Sequence, residues 1–380
     1  MLLSNCDWPF GSFSASPSRG NAPLTVHFTP NSTVRVTDWY WDFGDGSASA
    51  SERPSHTYTQ AGAYDVSLTI VYTAANGQEA THTETQTSYI TVSGVAVERW
   101  LYITNFLKSE LLRIREDGSD AEILANLGNA LELPTGLAID PGTSSVFVIG
   151  ALGGVIRTNA DGEGAVTLTD TIKHLGLGVL NDIDVDPTNG FVYLAGSQGV
   201  ARAATTSPGV WSVLNGFAIG LPGVDGVTSL AVDAKSGRIY WISYSTPHVW
   251  RSNLDGTGTI DLGNLQGVLC QPWGIAVDAA HQRLYVINDV DNGLRWSIVS
   301  ASLDGTDARD LGNLGQGTAY PLALTIDSSS DSIYALYYEG SSAYLVSTDL
   351  EGRLTGSFGD LGGLLSESGG GTDIALWSND

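Results

Sequence analysis

The sequence predicts an all-β chain in two parts, a β-sandwich followed by a six-bladed β-propeller closed by its C-terminal strand. Three observations carry this. A unit of four strand-like runs recurs six times across residues 99–380, with an aromatic at 102, 147, 193, 240, 285 and 334, a spacing of roughly 45 to 49 residues. Such a period is about the length of a four-stranded propeller blade. Residues 11–93 show a different pattern, in which apolar and polar residues alternate between turn clusters. The chain also holds 46 glycines with only 15% charged residues, which suits short strands joined by tight turns, and it has no convincing amphipathic helical segment.

Taken in order, residues 1–10 are an N-terminal arm with Leu2, Leu3, Trp8 and Phe10, too apolar for a free tail and expected to pack on the sandwich, the alternative being to dock into a neighbouring molecule. The arm has no basic region ahead of an apolar run, so it does not read as a secretion signal. No run approaches the ~18 apolar residues that span a bilayer.

Sandwich strands are expected at 25–28, 34–42, 63–71 and 85–92. In the third, Tyr64, Val66, Leu68 and Ile70 alternate with Asp65, Ser67 and Thr69, the period of a strand with one face in a core. Between the strands stands Trp41-Asp-Phe-Gly-Asp-Gly46, followed by His56-Thr-Tyr58 and Gly62-Ala-Tyr64. Trp41 and Phe43 are expected to plug the core, Gly44 and Gly46 to allow a tight turn, and Asp42 and Asp45 to accept backbone hydrogen bonds there. The competing reading gives the acids to calcium and Trp39 and Tyr40 to a sugar. The combination resembles a PKD domain, the Ig-like sandwich named for the polycystic kidney disease protein, over nearly all of residues 11–93. A linker at 94–98, with Gly94 as its only flexible point, implies limited reach.

The clearest repeat reads Arg238-Ile-Tyr-Trp-Ile-Ser243, His248-Val-Trp-Arg-Ser-Asn-Leu-Asp-Gly256, Thr259-Ile-Asp-Leu262 and Gly274-Ile-Ala-Val-Asp278. Asp255-Gly256 predicts a type I′ hairpin turn, which requires φ > 0. The third copy has Ser207-Pro-Gly209 at this place. The first copy supplies three strands over 99–126, so the run at 372–377 is expected to complete that sheet and remove the exposed edges of an open ring. Residues 98–380 resemble the six-bladed propellers of the low-density-lipoprotein-receptor (YWTD) type and their bacterial relatives, through Ile239-Tyr-Trp241, Arg251-Ser-Asn-Leu-Asp-Gly256 and Gly274-Ile-Ala-Val-Asp278. The closing Asp of Tyr-Trp-Thr-Asp is absent from every copy, so the resemblance implies the fold rather than a ligand.

Composition excludes some partners. A net charge of −24, with lysine only at 108, 173 and 235, argues against nucleic acid and anionic membranes. Cys6 and Cys270 have no metal or redox spacing, and Cys270 is expected to be a buried small apolar residue.

In the propellers resembled, ligands meet the face made by the loops before the innermost strands and between the first two outer runs. That places Asn105, Phe106, Asn181, Asp182, Tyr244, His248, Trp273, Tyr320 and Asp373 as ligand-binding candidates, aromatic and amide side chains that suit protein or glycan recognition. Asp289, Asp291 and Asn292 form a candidate for Ca²⁺, which takes carboxylate and carbonyl oxygens; no other cofactor is implied. No catalytic constellation emerges, because the six histidines are scattered and Ser252-Asn-Leu-Asp-Gly256 and Ser302-Leu-Asp-Gly305 are spaced as hairpin turns. The expectation is a non-enzymatic extracellular binding, adhesion or structural protein on a cell surface or virion. It would recognise protein or glycan, other surface components or copies of itself. The alternative is a glycan-acting propeller hydrolase or lyase.

Overall fold

The computed structural model describes residues 12–94, 98–128, 131, 133–168, 176–205, 211–214, 226–243, 245–291, 295–313, 320–339, 342–358 and 371–378. The chain divides into two compact units, Met1–Val97 and Glu98–Asp380, and no helix occurs among the described residues. The N-terminal arm, residues 95–97 of the linker and the Ser207-Pro-Gly209 turn lie outside the described residues.

The first unit is a sandwich of two sheets. One holds Ser12–Ser16, Leu24–Asn31 and Ser55–Tyr58; the other holds, in spatial order, Arg19–Asn21, Glu79–Ser93, Gly62–Thr73, Val36–Asp42 and Ala48–Ser49. Val26, Phe28, Trp41, Phe43, Tyr58, Val66, Leu68, Ile70 and Ile90 fill the space between them. The strand Glu79–Ser93 begins six residues before the expected one, because its first half has no apolar period. Thr81, Thr83 and Thr85 are exposed on one face and His82, Glu84 and Gln86 are half-buried on the other.

The Trp-Asp-Phe-Gly-Asp-Gly turn acts structurally. Asp42 Oδ1 accepts the Gly44 N–H at 2.9 Å, and Asp45 Oδ1 accepts that of Ser47 at 3.0 Å. Asp45 Oδ2 lies 2.7 Å from His56 Nε2, and the imidazole is stacked on Phe43 with centroids 4.3 Å apart. Tyr58 donates to the Phe43 carbonyl at 3.0 Å. Gly44 has φ +81°, and a Cβ there would stand 2.2 Å from the Asp65 carbonyl oxygen. Burial raises the pKa of Asp45, but the bonds from His56 and Ser47 outweigh it and hold the carboxyl below the usual value. Its stabilisation is therefore present above the unfolded value of 3.8 and is lost as pH falls through the lower folded one. Asp45→Ala is expected to destabilise the first unit by about 1–3 kcal/mol, read by denaturant unfolding of the full chain.

The second unit consists of six four-stranded antiparallel sheets. In sheet 1, Glu122–Asn126, Glu110–Arg115 and Arg99–Asn105 are followed by the C-terminal strand Gly371–Ser378, which pairs Ile374 with Ile103 and Trp377 with Trp100. In sheets 2 to 6 the innermost strand comes first in the chain: Pro134–Asp140, Leu180–Asp186, Val227–Asp233, Gln271–Asp278 and Tyr320–Asp327. Each inner strand neighbours the next in this order, and Gly371–Ser378 neighbours Pro134–Asp140. Apolar clusters fill the gaps between sheets, as where Tyr102 and Leu111 of sheet 1 meet Leu137, Val146 and Val148 of sheet 2. Second strands are therefore buried on both faces and read as continuous apolar runs.

The recurring aromatic has a polar task as well. Tyr102 Oη and Arg113 Nη1 both donate to the Ala160 carbonyl of the next sheet, at 2.7 and 3.2 Å. Tyr193 and Arg202 do the same to Leu254, and Tyr240 and Arg251 to Leu303. Those carbonyls belong to the Asp-Gly turns, whose geometry corrects the type I′ expectation. Gly256 (φ +82°) is left-handed and Asp255 is not. Gly256 N bonds Asn253 O and Asn253 N bonds Thr257 O, both at 2.9 Å, which makes a type I turn followed by a left-handed glycine. Asp255 Oδ1 explains the preference by accepting Thr257 N and Oγ1 at 2.9 and 2.6 Å. Gly162 is constrained twice, by φ +78° and by the Leu124 carbonyl oxygen 2.8 Å from where a Cβ would stand. Gly162→Ala is expected to cost about 1–3 kcal/mol, visible as a lower melting temperature of the second unit.

Each inner strand of sheets 2 to 6 ends in a buried aspartate, at 140, 186, 233, 278 and 327. These cap the following turns: Asp140 accepts Gly142 N at 3.0 Å, Asp186 accepts Asn189 N at 3.0 Å and Asp327 accepts Ser329 N at 2.8 Å. Cys270, expected to be buried, is exposed. It precedes the strand Gln271–Asp278, where its N–H is tied to Asn288 Oδ1 at 2.8 Å and its side chain is left outward.

Candidate functional site

The six inner strands line a channel of about 290 Å³. Each is the edge of its sheet, so its outward N–H and C=O groups need partners. Side chains supply them in a repeating register. Asp373 Oδ2 accepts Leu137 N at 2.6 Å, Asp182 Oδ2 accepts Leu230 N at 2.8 Å, and Ser229 Oγ accepts Ile275 N at 3.2 Å. In the opposite sense, Thr135 Oγ1 donates to Leu180 O at 3.0 Å and Asn181 Nδ2 to Val227 O at 2.6 Å. The constant offset shows that these strands run in one direction, so their N-terminal ends share one mouth of the channel.

Three carboxylates sit inside. Asp182 also accepts Ser229 Oγ at 2.6 Å and Ile183 N at 2.7 Å. Asp184 bonds Val185 N and Val232 N, both at 2.7 Å, and Asp373 bonds Ile374 N at 2.8 Å. Burial pushes Asp182 up to about 6 against the pull of these bonds. It pushes Asp184 up to about 7, with the Asp182 charge adding to it. Asp373 is raised well above the usual value, by burial first and the Asp182 charge second. All three lie beside the channel yet are held by backbone donors on both oxygens.

At the mouth stands Trp273, 49% exposed and edge-on to the buried Trp296, centroids 5.9 Å apart. Thr135, Asn181, Thr228 and Leu322 also line the channel. Of the other sequence candidates, Asn105 is buried and its Oδ1 accepts Lys108 N at 3.1 Å, the work of a turn residue. Phe106 is half-buried in the same turn, and His248 pairs with Asp261 at 2.9 Å on a third strand. Tyr244 and Asn292 lie outside the described residues, as does the side chain of Tyr320. Asp289 is buried and its Oδ1 accepts Asp291 N at 3.1 Å. Among the described residues no group of three His, Cys, Asp or Glu side chains is placed to hold a metal. The channel thus gathers Asn181, Asp182, Trp273 and Asp373, and leaves Asn105, Phe106 and His248 out of its lining. Sequence reasoning missed Asp184 and Ser229. The signal for Asp184 was present, since four of the other five repeats have Ala138, Ala231, Ala276 and Ala375 at its place.

Residues 14–92 match the PKD domain family. The first unit carries a PKD domain. Over 70 residues the chain is 33% identical to the microbial collagenase of Vibrio alginolyticus, covering 17% of this chain and 9% of that protein. Over 66 residues it is 33% identical to the pre-pro-metalloprotease PrtV of Vibrio cholerae serotype O1, covering 17% and 7%. The chain thus spans less than a tenth of these curated relatives. Among solved structures, a chain of the nidogen/laminin complex aligns with TM-score 0.60 and 16% identity, over 75% of this chain and 100% of that one. TolB from Acinetobacter baumannii aligns with TM-score 0.55 and 10% identity, over 84% and 80%. At these identities the likeness is one of fold, and it is β-propeller-like.

Proposed function

We propose that the chain is a non-enzymatic binding protein that works outside cells, on a cell surface or virion. In this reading, residues 98–380 close into a six-bladed propeller through Gly371–Ser378, and the propeller engages protein or glycan at the channel mouth. PKD domains are typically extracellular, which supports the location. The observation that carries the binding role is Trp273, a large ring left half-exposed at the rim of a polar channel and braced by Trp296. Such a ring offers much contact area for little lost freedom. The acids that a hydrolase would use are instead engaged, since Asp182, Asp184 and Asp373 spend both oxygens on backbone donors. The metalloprotease and collagenase relatives align over 66 and 70 residues only, so their chemistry is not carried over.

Binding of the full chain to arrays of surface proteins and glycans tests the reading. Trp273→Ala is expected to weaken the interaction at least about tenfold, roughly 1.4 kcal/mol, with the melting temperature unchanged. Wild-type affinity in this variant would move the site away from the mouth.

A further inference from the structure

The chemistry of the channel specifies its occupant. Four of its side-chain donors are turned into the wall: Thr135 Oγ1 to Leu180 O, Asn181 Nδ2 to Val227 O, Thr228 Oγ1 to Ile242 O and Ser229 Oγ to Asp182. The Leu137, Leu230, Val232 and Ile275 N–H groups are consumed as well. What these residues leave toward the channel is acceptors, the hydroxyl and amide oxygens together with the carboxylates of Asp182, Asp184 and Asp373, beside the Thr325 hydroxyl. No Lys, Arg or His is among the lining residues.

The rim adds an independent feature. The exposed large apolar side chains described in the second unit fall into two groups. Ile123, Val166, Ile260 and Leu354 belong to outermost strands, one per sheet. Leu107, Leu152, Val179 and Trp273 all lie at the mouth end of their sheets, in the turns at 106–109 and 151–153, just before Leu180 and at the start of Gln271–Asp278. None of these side chains is found at the opposite end, whose turns include Lys235 and His281. The apolar side chains at the mouth end and the acceptor-rich channel together describe a protein-docking face whose carboxylates have backbone partners but no positively charged one in the lining.

We propose that the partner is a protein that inserts a lysyl or arginyl side chain into the channel while its surrounding apolar residues cover the rim. This rests on the reading of the mouth as the binding face and deepens it. Charge complementarity selects this occupant. A cation brings several donors and no acceptor, the inverse of the channel wall. Trp273 at the mouth offers the entering cation a ring face. The net charge of −24 draws a basic partner in and repels an acidic glycan. A neutral glycan would leave the carboxylates without a counter-charge.

The test uses the full chain and three glycine-flanked peptides that differ at one central residue: lysine, norleucine and glutamate. Binding is followed by calorimetry and by the indole N–H resonance of Trp273. The lysine peptide is expected to bind at least tenfold more tightly than the other two and to shift that resonance. Trp273→Arg, at an exposed position that leaves folding intact, is expected to abolish its binding; Asp184→Asn is expected to weaken it about tenfold. Equal binding of lysine and norleucine peptides, undiminished binding by both variants, or no binding by any peptide at millimolar concentration would overturn the proposal. If an array ligand is lost on Trp273→Ala but is not displaced by the lysine peptide, the cationic occupant is wrong and the mouth stands. If Trp273→Ala affects neither ligand, both readings fall.

Discussion

Deleting residues 371–378 is expected to unfold the second unit while the first remains folded. The deleted strand pairs with Arg99–Asn105 from Gly371 to Ser378 and buries Ile374 among Leu101, Ile103, Leu336 and Leu345. Ile374 alone contributes about 1.5–3 kcal/mol at ordinary burial values. Leu376, partly buried against sheets 1 and 6, and Trp377, partly buried against sheets 1 and 2, add to it. A combined loss on the order of 5 kcal/mol is comparable with the whole stability of many domains. The deletion also exposes the edge of Arg99–Asn105, a buried apolar strand, so the product is expected to aggregate. Calorimetry of wild type and deletion decides the matter: the transition of the second unit should vanish, and an unchanged thermogram would show that the ring does not depend on its last strand.

The second large effect concerns pH. Asp182, Asp184 and Asp373 have folded pKa values raised above 3.8, chiefly by burial. A raised carboxyl binds its proton more tightly in the folded state, so its contribution is fully present below the unfolded value and is lost as pH rises through the folded one. For Asp182 and Asp184 the window runs from about 3.8 to about 6 and 7. The second unit is therefore expected to be more stable near pH 5 than near pH 8, by an amount on the order of 2–4 kcal/mol. The sign opposes that of Asp45 in the first unit, whose lowered value matters only in stronger acid. Asp184→Asn should lower stability near pH 5, because one of the N–H groups of Val185 and Val232 then faces an amide NH₂, and it should flatten the slope toward pH 8. Urea midpoints at a series of pH values measure both effects. A slope of the opposite sign, or one untouched by the substitution, would mean that these carboxyls ionise freely in the channel.

Much of this architecture is legible in the sequence because each repeat buries both faces of its second strand. The apolar run with an aromatic at its centre, as at Tyr240 or Tyr285, is dictated by packing against two neighbouring sheets. The pairing of 371–378 with 99–105 was also accessible, since the copies are out of phase with the chain ends. Polar detail was harder to read. The Asp-Gly turns signalled a hairpin, but the choice between a I′ turn and a type I turn with a left-handed glycine depends on the Asp255–Thr257 bond, which the dipeptide alone does not encode. Glu79–Ser93 was half hidden because a strand with hydroxyls outside and His, Glu and Gln inside has no apolar period.

The candidate site shows the same division. Asn181, Asp182 and Asp373 stood among the ligand-binding candidates, and they line the channel. That they bridge one inner strand to the next follows from the register between sheets, which sequence does not state. Asn105 looked like a loop ligand and is a buried turn residue, because an Asn after a strand caps a turn as readily as it meets a partner.

The proposed closure of the ring is tested most directly at one amide. Leu137 N–H, near the start of the second sheet, donates to Asp373 Oδ2 from the last strand of the chain at 2.6 Å. Hydrogen exchange of the full chain should find this amide protected nearly as well as the sheet interiors, and Asp373→Ala should release it while leaving the first unit's amides unchanged. Rapid exchange at Leu137 in the wild type would mean that the last strand does not meet the second sheet and that the ring is open.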